Sequence, residues 1–167
     1  MTTVEDLSVF PDLAGLTEDE LTILATAGRD VTLPTGLRVI TEGRAADRCW
    51  LIRSGLISLD THIPGRGDIA VQTLTSGELL GWSWLAPPYR WRFDARVLAP
   101  VEAIEFDAAT LIELASRDPV FGRTLLTIAF HAVLERLQGT RARLLDLYRN
   151  PADAAPGTAL SDSGDRS

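Results

Sequence analysis

The sequence predicts a mainly β domain (a sandwich, jelly roll or barrel) with helices at both ends. Two observations lead to this prediction. Short β-branched runs recur between Val31 and Phe106, and turns rich in Gly and Pro separate them at the spacing typical of such folds. Before and after this region, apolar residues recur instead at helical spacing.

The first helical region covers residues 7–28 and is interrupted at Pro11 and Gly15. Thr17 and Glu20 have the spacing of a capping box, in which each side chain accepts from the other residue's backbone N–H. Gly28 is a typical residue for ending this helix.

Seven strands are expected, and the turns between them include one at residues 54–55. The predicted strands are residues 31–33, 38–41, 50–53, 56–59, 70–74, 91–98 and 101–106. Side chains alternate between the two faces of a strand. In the strand at residues 91–98, the inward-facing residues should therefore be Trp91, Phe93, Ala95 and Val97. The outward-facing residues should be Arg92, Asp94 and Arg96.

Two helices should follow the strands. Asp107 is a suitable N-cap for the first, and Asp118-Pro119 provides a cap and a first-turn proline for the second, which should end near Tyr148. An apolar stripe with coiled-coil spacing, interrupted by Arg141, lies on the second helix and predicts a homodimer. Its members are Phe130, Leu134, Leu137, Leu144 and Tyr148.

Composition excludes several classes of function. The chain has 167 residues and a net charge of −7, so no basic face suggests direct binding to nucleic acid. No apolar run reaches the ~20 residues that span a bilayer. The lone cysteine, Cys49, is expected in the core and suits a reducing, cytoplasmic location. We expect one domain at residues 7–149 and a disordered acidic tail at 150–167.

Residues 77–96 are the most distinctive stretch. They open with Gly77-Glu78, run through a short apolar segment, break at Pro87-Pro88 and restart as a strand. Three of the four tryptophans lie here. Such a segment between two groups of strands suggests a small ligand-cradling insert in a β-barrel.

Three motifs make the chain resemble the cyclic-nucleotide-binding domain family over about residues 10–148. They occupy residues 36–43, 50–55 and 77–81, and it is their order and spacing that is specific. The resemblance implies a double-stranded β-helix, or jelly-roll, barrel with N-terminal helices and a long C-terminal helix. It also implies a non-enzymatic regulatory sensor whose effector is a cyclic nucleotide.

The resemblance also implies roles for individual residues. Gly77, Glu78 and Leu79 fall in the family's phosphate cassette, where backbone N–H groups meet the phosphate and the Glu accepts the ribose 2′-hydroxyl. Thr140 falls on the position that contacts the adenine amino group. Arg141 falls on the next position, which reaches the ligand of the partner subunit and where the family often has Ser.

The end of the cassette departs from the family pattern of Arg, then Ser or Thr, then Ala. Alignment backward from Arg96 places the phosphate-binding position on Trp91. A shift of the alignment could instead bring Arg90 or Arg92 to the phosphate.

Two hypotheses follow. In the first, the domain is a sensor for cyclic AMP or cyclic GMP, with Glu78 on the ribose, Arg90 or Arg92 on the phosphate and Thr140 on the base. In the second, aromatic side chains plug the pocket, and the domain is a degenerate interaction or dimerisation module. We expect no enzyme activity, no cofactor beyond a nucleotide effector, and no metal site, since His62 and His131 are far apart in the pattern.

Overall fold

The computed structural model describes residues 1–149, so the predicted tail at 150–167 lies outside the described residues. The chain divides into two compact units. The first covers Met1–Ala132, and the second begins at Val133. The described part of the second unit, residues 133–149, is helical throughout.

The helices begin and end close to the positions expected from the sequence. Their bounds are α1 Val4–Ser8, a 3₁₀ helix Pro11–Leu13, α2 Glu18–Ala27, α3 Ala108–Arg117 and α4 Pro119–Arg149. The capping box of α2 is confirmed: Thr17 N donates to Glu20 Oε2 at 2.8 Å, and Glu20 N donates to Thr17 Oγ1 at 3.3 Å. The first helix starts at Val4, earlier than expected, because Thr3 and Asp6 form a second capping box.

The expected caps of α3 and α4 are also confirmed. Thr110 N donates to Asp107 Oδ1 at 2.8 Å, and Val120 N donates to Asp118 Oδ1 at 2.9 Å. Each carboxylate satisfies backbone donors that the first turn of a helix leaves unpaired.

The strands within residues 1–149 belong to one antiparallel six-stranded sheet, and the jelly-roll fold class is confirmed. The strands are β1 Gly28–Leu33, β2 Arg38–Ile40, β3 Arg48–Ile63, β4 Gly67–Leu74, β5 Leu79–Leu80 and β6 Asp94–Asp107. The strand order is β1-β6-β3-β4, while β2 also pairs with β6 and β5 also pairs with β3.

The prediction of a turn at Ser54-Gly55 was wrong, because β3 runs through these residues. The strands expected on either side of it form the single strand β3, which bends through register shifts against β6. Gly55 has φ +97°, and a β-carbon there would lie 2.2 Å from the carbonyl oxygen of Pro100. Only glycine allows the two backbones to approach this closely. The two strands predicted at 91–98 and 101–106 likewise form one strand, β6, which begins at Asp94.

The predicted alternation near the start of β6 is correct in part. Trp91, Ala95 and Val97 are buried as expected, and Phe93 is half-buried. Asp94 is buried rather than exposed, contrary to the prediction. Its carboxylate accepts from the backbone N–H of Glu42 at 2.9 Å and from Arg38 Nη1 at 3.0 Å. These partners satisfy a charge that would otherwise be costly to bury.

None of the helices in residues 1–149 is both long and apolar enough to cross a bilayer.

Candidate functional site

The Gly77-Glu78 turn is held against strand β3 by backbone hydrogen bonds. Gly77 N donates to Ile52 O at 2.8 Å, and Ile52 N donates to Glu78 O at 3.0 Å. Gly77 has φ +89°, a conformation that favours glycine. Leu79 follows as the first residue of β5 and pairs with Leu51. The first three predicted site residues therefore lie together at one fixed turn.

The carboxylate of Glu78 is half engaged by its own turn. Thr75 N donates to Glu78 Oε2 at 2.8 Å. Within the described part of the chain, Oε1 makes no hydrogen bond, and the residue as a whole is partly exposed. This oxygen can accept a hydrogen bond from a hydroxyl group, as the ribose role requires.

Beyond β5 the chain makes a second tight turn at Gly81, which has φ +88°. A 3₁₀ helix, Ser83–Leu85, follows it. Trp84 is buried at the centre of this helix, and its Nε1 donates to Gly81 O at 3.2 Å. Packing of the Trp84 indole therefore fixes the path of the segment after the Gly-Glu turn.

The Trp91 side chain is buried within the cassette, the segment that runs from Gly77 to Phe93. It is 5% exposed, and its ring centroid lies 6.2 Å from that of Trp50. A β-carbon built on Gly81 would lie 3.0 Å from Trp91 Cη2, so the ring packs directly on that turn. The backbone of Trp91 is also fixed, because its N–H donates to Arg44 O and its carbonyl accepts from Gly43 N, both at 2.9 Å.

Neither of the two candidate phosphate-binding arginines turns inward. Arg90 Nη1 donates to Gly43 O at 2.7 Å, and Arg92 Nη2 donates to Pro87 O at 3.3 Å. Both side chains are exposed. Among the contacts within residues 1–149, neither guanidinium forms a hydrogen bond or an ion pair with Glu78. The structure does not join these residues into the anion site that a shifted alignment would require.

The aromatic side chains of the cassette do not form one stacking platform. Trp84 and Trp91 are buried in the core. Trp82 and Phe93 are half-buried, with ring centroids 6.4 Å apart, and Tyr89 is 53% exposed. Two of the five rings thus fill the interior, as in an ordinary core.

A small apolar cavity of about 30 Å³ lies behind the cassette, with Trp84, Cys49 and Leu111 in its wall. On this measure a water molecule needs about 10–15 Å³, so the cavity has room for a water or two and is far too small for a nucleotide. Burial raises the pKa of the Cys49 thiol to about 12. The expectation that Cys49 is a core residue is confirmed.

The two remaining predicted site residues lie in the second unit. Thr140 and Arg141 are both exposed on α4. Thr140 Oγ1 donates to Arg136 O at 2.9 Å, a bond back to its own helix. Their predicted contact with a base stays a prediction.

Both histidines of the described residues are exposed. Within residues 1–149, no group of three His, Cys, Asp or Glu side chains could hold a metal ion. His62 is exposed and shares a hydrogen bond of 2.9 Å with Asp68, and His131 is exposed on α4.

Taken with the fold, the turn at Gly77-Glu78 and the segment after it define a jelly-roll domain. Residues 30–118 match the cyclic nucleotide-binding domain family. The match covers more than half of the 167-residue chain. The chain therefore belongs to this family, whose domains are regulatory modules. A comparison with curated proteins gives no match.

Solved structures of similar fold agree with this assignment. A protein from Geobacter metallireducens, described as a cyclic nucleotide-binding protein, is 28% identical, with a TM-score of 0.74 over 82% of this chain and 99% of that one. A cyclic nucleotide-binding domain from Methylobacillus flagellatus is 17% identical, with a TM-score of 0.72 over 87% of this chain and 78% of that one.

A third similar structure belongs to a larger protein. It is the regulatory subunit of a cAMP-independent protein kinase A from Trypanosoma cruzi, bound to guanosine. The identity is 18% and the TM-score 0.65, over 89% of this chain and 50% of that one. At this identity the likeness concerns the fold.

Proposed function

We propose that this chain is a regulatory interaction module whose cassette is closed by its own side chain and which self-associates through α4. The observation that carries the proposal is the position of Trp91. The alignment places this residue where the family pattern has the phosphate-binding Arg, and its indole lies buried against Gly81 and Trp50. An indole in this place fills space that an effector would need.

The charge of the cassette supports the same proposal. A cyclic phosphate carries a full negative charge, and burying it without a paired cation is strongly unfavourable. The side chains of Arg90 and Arg92 are exposed and donate to backbone carbonyls. To pair with a phosphate in the interior, either arginine would have to break its hydrogen bond to a backbone carbonyl. The Trp91 ring would also have to move out of the interior.

Calorimetric titration of the full chain with cyclic AMP and with cyclic GMP tests this function. We expect no saturable heat at high micromolar nucleotide from protein whose circular dichroism shows a folded sample. Saturable binding that is lost in Glu78→Ala would overturn the proposal. It would support instead a cyclic-nucleotide sensor that opens its cassette on binding.

The free oxygen of Glu78 favours one second candidate, a nucleoside without a phosphate. Such a ligand would donate a ribose hydroxyl to Glu78 Oε1 and would need no arginine. The guanosine bound to the Trypanosoma cruzi regulatory subunit is a ligand of this kind. Titration with guanosine, compared between the native chain and Glu78→Ala, distinguishes this candidate from the closed module, for which neither protein gives saturable heat.

Self-association rests on the apolar side chains of the second unit. Between Val133 and Tyr148, the large apolar residues whose side chains are described are all exposed: Val133, Leu134, Leu137, Leu144, Leu145 and Tyr148. Leu134, Leu137, Leu144 and Tyr148, counted together with Arg141 between them, have the alternating three- and four-residue spacing of a two-helix seam. A second copy offers the same spacing and so provides an apolar face that matches it.

Sedimentation velocity over a range of concentrations tests the self-association. We expect a dimer whose fraction falls on dilution. Leu137→Glu should shift the equilibrium to monomer, because it places a charge in the seam. Ala142→Glu, which places the same charge on the exposed outer side of the helix, is the matched control. A native chain that stays monomeric at high concentration would overturn this part of the proposal.

A further inference from the structure

This inference concerns one charged residue within the seam and rests on the self-association proposed above. Leu134, Leu137, Leu144 and Tyr148 occupy successive core positions of a heptad pattern, and Arg141 occupies the core position between Leu137 and Leu144. Like its apolar neighbours on this face, Arg141 is exposed in the single chain. A permanently charged side chain thus stands in the middle of an otherwise apolar face.

Nothing in its own helix is placed to neutralise this charge. Side chains three or four residues apart are neighbours on a helix surface. At these distances from Arg141 the sequence has Leu137, Gln138, Leu144 and Leu145, none of them acidic. The guanidinium is therefore not committed to an intrahelical carboxylate.

The described helix of a second copy would not place a carboxylate beside the seam either. The acidic residues of the described helix after Val133 are Glu135 and Asp146. Counted from the core positions, they fall on the outer side of the helix rather than beside the seam. When two copies meet through the described helix, the seam itself offers Arg141 no carboxylate, so its guanidinium has to stay in contact with water.

The number of helices in the assembly decides whether water can reach Arg141. In a two-helix seam, the aliphatic stem of Arg can lie along the neighbouring helix while its guanidinium reaches solvent. In a three- or four-helix assembly, the same core position is enclosed on all sides. An unpaired charge buried there carries a large desolvation penalty.

We propose that Arg141 is the specificity residue that limits self-association to two chains. A single polar residue at a core position is known to fix the oligomeric state at a cost in stability. The sequence interrupts the apolar stripe at one core position in the described second unit, and with an aliphatic residue there the stripe would be continuous. Arg141 thus weakens the dimer but prevents larger assemblies.

The test compares the full chain with Arg141→Leu, Arg141→Lys and Arg143→Leu by sedimentation equilibrium. Arg143→Leu is the matched control, because it removes the same charge two residues along the helix and away from the seam. We expect Arg141→Leu to shift the mass from two chains to three or four, with tighter association. Arg141→Lys and Arg143→Leu should remain dimers.

The possible outcomes separate the two proposals. A native dimer that remains a dimer in Arg141→Leu would overturn the role of Arg141 and leave the self-association intact. A dimer that dissociates in Arg141→Leu would also overturn this role, since it would mean that the arginine stabilises the contact. A native chain that stays monomeric would overturn both proposals.

Discussion

The indole of Trp91 lies over the backbone of Gly81, so that a β-carbon at Gly81 would come within 3.0 Å of Trp91 Cη2. The same β-carbon would lie 3.0 Å from the carbonyl oxygen of Arg48. The close contact couples the turn after β5 to the buried ring of Trp91. Gly81 therefore cannot gain a side chain without displacing the Trp91 ring or the Arg48 carbonyl.

Gly81→Ala should destabilise the domain more than Gly77→Ala does. The two glycines have nearly equal φ values, +88° and +89°, but a β-carbon at Gly77 meets nothing within 4 Å. Gly77→Ala therefore reports the backbone strain alone, about 1 kcal/mol. Gly81→Ala adds overpacking, for a further ~1–3 kcal/mol. Urea unfolding measures both, and equal losses would contradict the close packing of Trp91 on this turn.

Trp91→Ala should lower the free energy of unfolding by about 3–5 kcal/mol, the usual cost of removing a large buried side chain. Tyr89→Ala is the control, because Tyr89 lies two residues earlier and its side chain is exposed. Its free energy of unfolding should change by no more than about 0.5 kcal/mol. Circular dichroism in urea follows both variants. A small loss for Trp91→Ala would mean that the ring is not part of the core.

The Cys49 thiol should not react with a thiol reagent such as DTNB in the native protein at pH 8. It is 4% exposed, and burial raises its pKa to about 12, so the reactive thiolate is scarce. The absorbance of the released chromophore should rise only after urea is added. Rapid reaction of the folded protein would show that the cavity beside Cys49 opens to solvent.

Asp107 should contribute to a loss of stability in acid. Hydrogen bonds from the backbone and side chain of Thr110 hold the pKa of this carboxyl below its ordinary value of 3.8. Its stabilising effect is therefore present above that value and is lost as the pH falls through the lower, folded-state pKa. Asp107→Asn should lower the urea midpoint at pH 6 and have less effect at pH 3. Glu102→Gln, an exposed carboxyl that caps no helix, should show no such difference.

Local signals explain why the helix ends could be predicted. Thr17 with Glu20, Asp107 and Asp118 each act within one helical turn, so the sequence alone shows their partners. The Thr3-Asp6 pair has the same spacing and could have located the start of α1, although Asp there is less typical of the motif than Glu.

The corrected elements depend on residues distant in the chain. Gly55 indicates a turn from the sequence, yet its conformation serves a close approach to Pro100 on another strand. Asp94 was expected outside because its neighbours alternate, but Arg38 and the backbone of Glu42 cover it. No local pattern contains these partners.

In the candidate site, the sequence predicted the burial of Trp91 but not the positions of Arg90 and Arg92. Counting back from Arg96 placed Trp91 at the phosphate position, and the structure shows its ring buried there. The positions of Arg90 and Arg92 depend on the path of the loop before them, which includes Tyr89 at φ 57°. Their carbonyl partners, Gly43 and Pro87, follow from that path and not from the spacing of the arginines.

The unbroken course of β3 has a consequence for how the domain opens. This one strand is hydrogen-bonded to β4, β5 and β6, so it connects three other strands of the sheet. Fraying at one end cannot release a separate subdomain, because each ladder shares the same backbone. Slowly exchanging amides should therefore form a single block with a common opening free energy across residues 49–60, where β3 is paired with β6.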